Sequence, residues 1–333
     1  MDDYTHLPRS ERDYEGWPWE APHSPTLPEY AFSSKLPRIS IVMPSYNQSK
    51  YIEQAIRSIL LQNYPDLELF IEDGGSTDST LEIIKKYEPW ITHWRSSPDA
   101  GQADAINQGW KQATGDIFGW LNSDDVYAPG AFVRLADTWV QKPDTLMLYG
   151  DALIIDQDAK IVNQKQMNAY TSQKALMWET MPQPAVFVTP RLYKEVGPLD
   201  ISLYYTLDVD FFIRSWLRSD LAHKFIYLGD VLAYSREYEQ TKMSTGKSKI
   251  ADEHVRVLFN YWTSQPPLFE KNIKSKYLFA VALIKQAIIY HRNGAFKEAL
   301  SVYLRATIIS PFCFPYMLKK AFFASLEYFE AKQ

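Results

Sequence analysis

The stretch with the strongest chemical character is Trp120-Leu121-Asn122-Ser123-Asp124-Asp125. Ile117-Phe118-Gly119-Trp120-Leu121 is an apolar run bounded by turn residues, which predicts a short buried strand. It delivers two adjacent carboxylates to its C-terminal end, ahead of the turn residues Tyr127-Ala128-Pro129-Gly130. In open α/β sheets ligands sit outside the carboxyl ends of the strands. Paired acids at that place suit a hard divalent cation bridging to a diphosphate. They suit a solvated acidic turn equally well, so the stretch alone does not decide.

The elements that would position those acids follow from periodicity. Arg38-Ile39-Ser40-Ile41-Val42-Met43-Pro44 predicts a strand that stops at the proline, with Ser45-Tyr46-Asn47-Gln48 as the loop at its end. Ile52, Ile56, Ile59 and Leu60 give the next segment one helical apolar face, with Ser49 placed to cap it. Leu67 to Ile71 is a second strand running into Glu72-Asp73-Gly74-Gly75-Ser76-Thr77-Asp78, and helix 79–88 follows. A weaker strand at 91–95 leads to Ser96-Ser97-Pro98-Asp99-Ala100-Gly101, then helix 102–113, then the strand before Asp124. This β-α-β-α-β-α-β order implies a parallel sheet. Its polar clusters, Ser45 to Asn47, Glu72-Asp73, Asp99 and Asp124-Asp125, all fall at strand C-termini, which favours a nucleotide-binding crevice. Neither a G-x-G-x-x-G nor a G-x-x-x-x-G-K-S/T motif is present, so diphosphate charge must be met by a metal or by basic side chains. Gly74-Gly75 allows a tight turn that offers the Asp73 carboxylate to a base or ribose.

The second half is less regular. A helix at 129–141, a strand at 146–155, a hairpin turn at Asp156 to Lys160 and a return strand from Ile161 come first. A short strand over Gln183 to Val188, a helical turn at 192–196, a helix led by Thr206 and carrying Asp208 and Asp210, a strand at 225–233 and a polar loop to Lys249 complete the pattern.

Composition narrows the class. The chain has 333 residues, 46% hydrophobic and 15% aromatic, enough for one large domain or two modest ones. A net charge of −5 gives no electrostatic footprint for nucleic acid. The one cysteine, Cys313, excludes an intramolecular disulfide framework and fits a reducing compartment. No run reaches the length of a membrane span, and Lys285 interrupts the nearest one, Tyr277 to Tyr290. Residues 1–37 are rich in proline and form an irregular leader. The six histidines lack metal-ligand spacing, and Trp110 and Trp120 read as core.

Six stretches in order resemble a family-2 glycosyltransferase of the GT-A fold. They are Ile41-Val42-Met43-Pro44-Ser45-Tyr46-Asn47; Glu72 to Asp78; Pro98-Asp99-Ala100-Gly101-Gln102-Ala103-Asp104-Ala105-Ile106-Asn107; Trp120 to Asp125; Gln183-Pro184-Ala185-Val186-Phe187; and Leu207-Asp208-Val209-Asp210 with Arg214. The resemblance covers about residues 38–260 and is nearest to enzymes that build bacterial surface polysaccharides. It implies a mostly parallel central sheet flanked by helices, with a nucleotide-sugar half at 38–127 and an acceptor half at 128–264. The implied activity is inverting transfer of a hexose or hexosamine from a nucleotide-diphosphate sugar, UDP being favoured, to a glycan or lipid-linked acceptor. The implied cofactor is Mn2+ or Mg2+, held by Asp124, with Asp125 beside it on metal, ribose or sugar. Pro44, Ser45, Tyr46, Asn47, Glu72 and Asp73 would surround the base and ribose. Asp99, Gln102 and Asp104 would line the donor sugar or diphosphate, and Asn122-Ser123-Asp124 occupies the D-x-D position. Asp208 is the implied general base; Asp210, two residues on, does not share its face. Two departures stand out. Asn122 replaces the first acid of D-x-D, and Tyr238 stands where the family carries a histidine, between Arg236 and Lys242 as candidate phosphate partners.

From about 265 the composition is helical. Tyr290, Gly294, Ala299, Tyr303, Ala306 and Pro311 resemble one tetratricopeptide repeat, which cannot bury its face alone. Aromatics from Phe312 to Phe329 with Lys319 and Lys320 suit packing within the chain or a peripheral membrane contact at the cytoplasmic face. Two other readings stay open. A nucleotidyltransferase needs an early basic phosphate loop, which Ser45 to Lys50 provides poorly; a catalytically degenerate GT-A scaffold would not need Asp73, Asp124 and Asp208.

Overall fold

The computed structural model describes residues 7–8, 15–19, 35–165, 170–171, 174, 181–218, 220–264 and 273–330. Most of the 1–37 leader, with His6 and His23, lies outside them, as does the side chain of Phe329.

The sheet begins with β1 (Ile39–Ser45), buried at all seven positions and therefore central rather than alternating. It runs one residue past Pro44. β2 (Leu67–Asp73) and β3 (His93–Ser96) lie outward on one side, and β4 (Ile117–Trp120) lies on the other. These four pair in parallel, as the alternation predicts. The chain thus leaves β1 in one direction and returns on its opposite side, which makes the β1/β4 edge the topological switch point. Helices α1 (Ile52–Leu60), α2 (Thr80–Tyr87) and α3 (Gln102–Gln112) connect them. In α1 the predicted face of Ile52, Ile56, Ile59 and Leu60 is fully buried. Ser49 does not cap it: Tyr51 takes the N-cap position without a side-chain bond, and the Ser49 amide turns to Asp78.

Beyond β4 the sheet is mixed. β5 (Val126–Tyr127), α4 (Ala131–Gln141), β6 (Met147–Ile155), β7 (Ile161–Lys165), β8 (Val186–Val188) and α5 (Pro190–Val196) precede β9 (Phe225–Arg236). The order is β3-β2-β1-β4-β8-β6-β9-β5, with β7 on β6 as the predicted hairpin. The strand predicted over Gln183 to Val188 starts as a 3-10 turn at Gln183–Ala185, because Pro184 cannot donate to a ladder. β9 continues to Arg236 where a loop was predicted.

The chain divides into two compact units. The first comprises residues 1–170, 181–204 and 217–238 and holds the whole sheet. The second comprises 171–180, 205–216 and 239–333. This partition differs from the expected divisions after 127 and 264, for a local reason. Helix α6 (Leu207–Leu217) is tied to α8 (Lys247–Ser264): Glu253 accepts from the amides of Tyr205 and Thr206 and from the Thr206 hydroxyl, and the Tyr261 hydroxyl donates to Asp210. Glu253 is thus the acceptor at this helix start, where Thr206 was the expected cap. Helix α7 (Lys242–Thr245) and the start of α8 occupy the predicted polar loop. Next come α9 (Ile273–Arg292), α10 (Phe296–Ile309) and α11 (Phe314–Glu330). Gly294, at φ +77°, turns between α9 and α10, and Ala299, Tyr303 and Ala306 are buried, as the repeat predicts. Both α10 and α11 pack on α9.

Close packing in the first unit gives a direct test. A Cβ on Gly109 of α3 would stand 2.6 Å from both Cγ atoms of Val42 on β1. Gly109→Ala should cost about 1–3 kcal/mol in urea unfolding, because overpacking against a central strand has no cheap relaxation. A neutral result would show that α3 can slide off β1. In the second unit, burial lowers the pKa of His254 from 6.5 to about 4, against a contact with Gln286 that raises it. The folded chain therefore resists protonation that the unfolded chain accepts. Stability should be full above about pH 6.5 and fall as pH drops toward 4, by about 2 kcal/mol at pH 5. His254→Leu should flatten that part of the pH–stability curve.

Candidate active site

The loops at the carboxyl edge of β1, β2 and β3 are locked to one another before any ligand arrives. The Gly74 amide donates to the Ser45 carbonyl at 2.8 Å. The Asn47 amide donates to Ser76 Oγ (2.7 Å), and Asn47 Oδ1 accepts from the Thr77 amide (2.8 Å). Asn47 adopts φ 51°, a left-handed conformation that asparagine tolerates. Gly75, at φ +88°, packs beside Pro98, and a Cβ on Gly74 would come 3.1 Å from the Asp99 carboxylate. The two glycines are thus what lets the second and third loops meet.

Asp73 holds this cluster together. Its Oδ2 accepts from the Gly75 amide (3.1 Å), the Ser76 amide (2.8 Å) and Ser96 Oγ (2.6 Å), and its Oδ1 accepts from Ser76 Oγ (2.5 Å). A carboxylate has about four acceptor sites, so these bonds use its capacity. Three of the four bonds fall on Oδ2 and one on Oδ1, from the following loop and from Ser96 at the end of β3. Glu72, also buried, pairs with Arg95, its register partner on β3, and accepts from Gln112. Asp99 accepts from the Gly101 amide, and Asp104 from the Ala100 amide and Gln108. By contrast, Ser45 Oγ, at the end of β1 on the switch-point edge, is buried with no hydrogen-bond partner. Pro44 is buried in the strand, and Tyr46 is 60% exposed beside Ser45.

Across the switch point, after β4, the acidic turn is equally organised. Asn122 lies at its centre. Its Oδ1 accepts from Gln102 (2.6 Å), and its Nδ2 donates to Asp125 Oδ2 (3.1 Å) and Gln183 Oε1 (3.1 Å). Gln183 Nε2 donates to the Trp120 carbonyl. Nothing local in the sequence marks Gln183 for this bridging role beyond its place before a proline. Ser123 and Asp125 are buried, while Asp124 is half-buried. Burial first, and the neighbouring Asp124 charge second, push the Asp125 carboxyl up to about 8. Its other oxygen accepts from the Arg236 amide at 2.8 Å. Both oxygens of Asp125, expected on metal or ribose, thus face the protein.

Arg236, expected on phosphate, is turned inward at the end of β9. Its Nε donates to the Asp124 carbonyl (2.8 Å). One terminal nitrogen donates to the carbonyls of Asp156 and Gln157, and the other to Gln54 Oε1 (2.6 Å). The guanidinium lies 4.6 Å from the Tyr51 ring centroid, and burial lowers its pKa. Tyr51 also meets Tyr238, whose hydroxyl donates to Asp124 Oδ2 at 3.2 Å. Burial and then the Asp124 charge raise the Tyr238 pKa, so its phenol keeps its proton. Tyr51, just before α1, and Gln54, on it, carry no mark in the sequence of the contacts they make with Arg236.

In the second unit, Asp208 and Asp210 stand on the first turn of α6. Asp210 accepts from Arg214 (2.8 Å) and Tyr261 (2.7 Å), so it braces the helix, while Asp208 is half-buried. Trp110 and Trp120 are buried ring against ring, as predicted for core.

The donor set decides what cation fits. Among the described residues no three His, Cys, Asp or Glu side chains gather into a metal cage. Asp124, half-buried, is the carboxylate of this turn whose chemistry suits a hard divalent cation. The locked turn also gives a test of Arg236. Arg236→Lys keeps the charge but loses the planar fork, leaving backbone carbonyls without a donor. Denaturant unfolding should show a loss of about 2–4 kcal/mol; wild-type stability would mean that the fork is dispensable.

Comparison with known proteins bears on the fold. The model of the family described as "Glycosyl transferase family 2" matches residues 40–189. An uncharacterized glycosyltransferase of Rickettsia typhi is 25% identical over 307 residues, 88% of this chain and 92% of its own length. A PGL/p-HBAD biosynthesis glycosyltransferase of Mycobacterium bovis is 28% identical over 198 residues, 58% of this chain and 75% of its own. Among solved structures, S. aureus TarS 1-349 in complex with UDP-GlcNAc superposes with a TM-score of 0.54 at 16% identity, covering 81% of this chain and 89% of that one. The mannosyltransferase PcManGT from Pyrobaculum calidifontis, in complex with GDP-Man and Mn2+, gives 0.51 at 15% identity, covering 90% and 89%. The fold is GT-A-like, and over residues 40–189 the chain carries a glycosyl transferase family 2 domain.

Proposed function

We propose that the chain transfers a hexose or hexosamine from a nucleotide-diphosphate sugar, a UDP-sugar in the first instance, to a glycan or lipid-linked acceptor of a cell-surface polysaccharide, with inversion. The observation that carries this reading is the switch-point edge. There the unpartnered Ser45 hydroxyl stands at the end of β1, and the Asp124 carboxylate with its Tyr238 donor follows β4. The family match and the nucleotide sugars bound by TarS and PcManGT support the donor class. The mycobacterial relative is named for PGL/p-HBAD biosynthesis, which supports a biosynthetic glycosyl transfer.

The residues divide the work as follows. Ser45 Oγ and the exposed Tyr46 ring receive the nucleoside, with Asn47, Glu72 and Asp73 holding their loops in shape. Gln102, Asp99 and Asp104 border the sugar and diphosphate from the start of α3. Asp124 would hold a divalent ion, which when bound would supply neutralisation of the charge on the leaving diphosphate. Asp208 takes the proton of the acceptor hydroxyl as its oxygen bonds to the anomeric carbon. The bond to the diphosphate breaks on the opposite face, with its electron pair leaving on the nucleotide. The family resemblance puts the base at Asp208, and Asp210 accepts from Arg214 and Tyr261. A non-catalytic GT-A scaffold is the second reading, favoured by one observation: the side chains of Asp73, Asn122, Asp125 and Arg236 are all spent within the protein.

Calorimetry with UDP, GDP and dTDP, with and without Mn2+, separates the two. Transfer chemistry requires one nucleotide to bind in a metal-dependent way. Asp124→Ala should weaken that binding by roughly tenfold or more, by loss of a charged ligand. Asp208→Asn should keep binding and lower turnover by about 100-fold or more. Absence of binding by all three nucleotides would favour the scaffold.

A further inference from the structure

A buried cation on α1, which the transfer chemistry leaves unused, takes its acceptors from the N-terminal leader. Arg57 is 8% exposed. Its Nε donates to the Pro18 carbonyl (3.1 Å). One terminal nitrogen donates to the Pro8 carbonyl (2.9 Å) and the Tyr87 hydroxyl (3.2 Å), and the other to the Trp19 carbonyl (3.3 Å). The guanidinium also lies 5.3 Å from the centroid of the Trp19 ring. Three of its four hydrogen bonds therefore end on leader carbonyls. Without them a buried charge would have one hydroxyl to answer it, which is costly. Pro18 is itself buried, and Leu7 packs on the core of the sheet.

The same segment reaches the exit of the acidic turn. Among the described residues β5 is the last strand in the sheet order, so one of its edges has no ladder partner. The Ala128 amide donates to the Leu232 carbonyl on β9, which turns the Tyr127 N–H and C=O to the open side. Both are met there. The Tyr127 amide donates to Ser58 Oγ (3.1 Å), and the Tyr127 carbonyl accepts from Trp17 Nε1 (2.7 Å). Ser58 adjoins Arg57, so the leader's socket and the strand edge lie on neighbouring residues of one helix. Tyr127 is two residues beyond Asp125, which the Arg236 amide holds from the β9 side. We propose that leader residues 7–8 and 15–19 form a clasp, seated on Arg57, that closes the outer edge of β5 through Trp17 and thereby fixes the acidic turn of Asp124 and Asp125. Trp17 and Arg57 are positioning residues: Trp17 bonds the main chain leaving the turn, and Arg57 holds the segment that carries Trp17. The effect on nucleotide binding rests on the transferase reading; the clasp itself does not.

Hydrogen exchange of the full chain, read by mass spectrometry, tests this. Trp17→Phe keeps an aromatic ring and loses the donor; Arg57→Met keeps an unbranched side chain and loses the charge. Amides of 120–128 should exchange roughly threefold faster or more in Trp17→Phe, which removes one hydrogen bond, and roughly tenfold faster or more in Arg57→Met. Amides of β2 should keep their wild-type rates. Unchanged exchange over 120–128 in Trp17→Phe overturns the proposal, and so does an acceleration shared equally by β2, which marks general loosening. If Arg57→Met does not fold, Trp17→Phe decides alone. Where the wild type binds UDP with Mn2+, Trp17→Phe should bind it roughly threefold more weakly or more, and equal affinity would show that the clasp does not position the site. A wild type that binds no nucleotide counts against the transferase reading and leaves the exchange rates to judge the clasp.

Discussion

The buried guanidinium of Arg236 is the constraint on which the first unit's site depends. It joins the turn after β4, the β6–β7 hairpin and helix α1, and it rests on the Tyr51 ring, while its own amide holds Asp125. Three segments far apart in sequence therefore meet through one side chain. A cation this far from water is unfavourable by itself. Here every terminal nitrogen has an oxygen acceptor, and the adjacent Asp124 charge opposes the effect of burial. Removing any member would leave the others with unmet hydrogen-bonding capacity, so the cluster stands or falls as a unit.

The carboxyl edge of the sheet follows the same logic. A ligand site made of acids at strand ends faces a folding problem, because like charges converge where backbone groups also lack partners. Asp73 solves it locally by accepting from the loop that follows it. Glu72 solves it across the ladder with Arg95. These bonds fix the loops in the free protein, so the entropy of ordering them is settled in folding rather than in any later binding. Among the described residues the edge still presents a serine hydroxyl without a hydrogen-bond partner, an exposed tyrosine ring and the half-buried Asp124, with Asp99, Gln102 and Asp104 around the start of α3.

The first half of the fold was legible because its signals are local. An unbroken apolar run marks β1, three-and-four spacing marks α1, and polar residues mark where each strand ends. The order of elements then leaves few topologies for a parallel sheet. The candidate site was legible as a set of positions but not as a set of roles. Whether Asp73 faces a ribose or its own loop depends on Ser96, on the neighbouring strand; whether Arg236 faces phosphate depends on Gln54, 182 positions away. Such partners leave no periodic trace. The division into two units was hidden for the same reason, since it rests on Glu253 and Tyr261 reaching back to the start of α6.

The two departures from the family pattern gain a common explanation from these contacts. Where the family carries an acid, Asn122 donates its amide to Asp125. Where the family carries a histidine, Tyr238 donates its hydroxyl to Asp124. Each replacement thus supplies a neutral hydrogen-bond donor to one of two adjacent carboxylates. An acid at 122 would have set a third carboxyl group against Asp125, already raised to about 8 by burial and by Asp124. A histidine at 238 would answer Asp124 only while it carried a proton on the facing nitrogen, whereas the Tyr238 phenol keeps its proton at neutral pH. The acidic turn is therefore shaped by the protein's own donors, and a cation entering there must compete with Tyr238 for Asp124 rather than neutralise a bare cluster of charge.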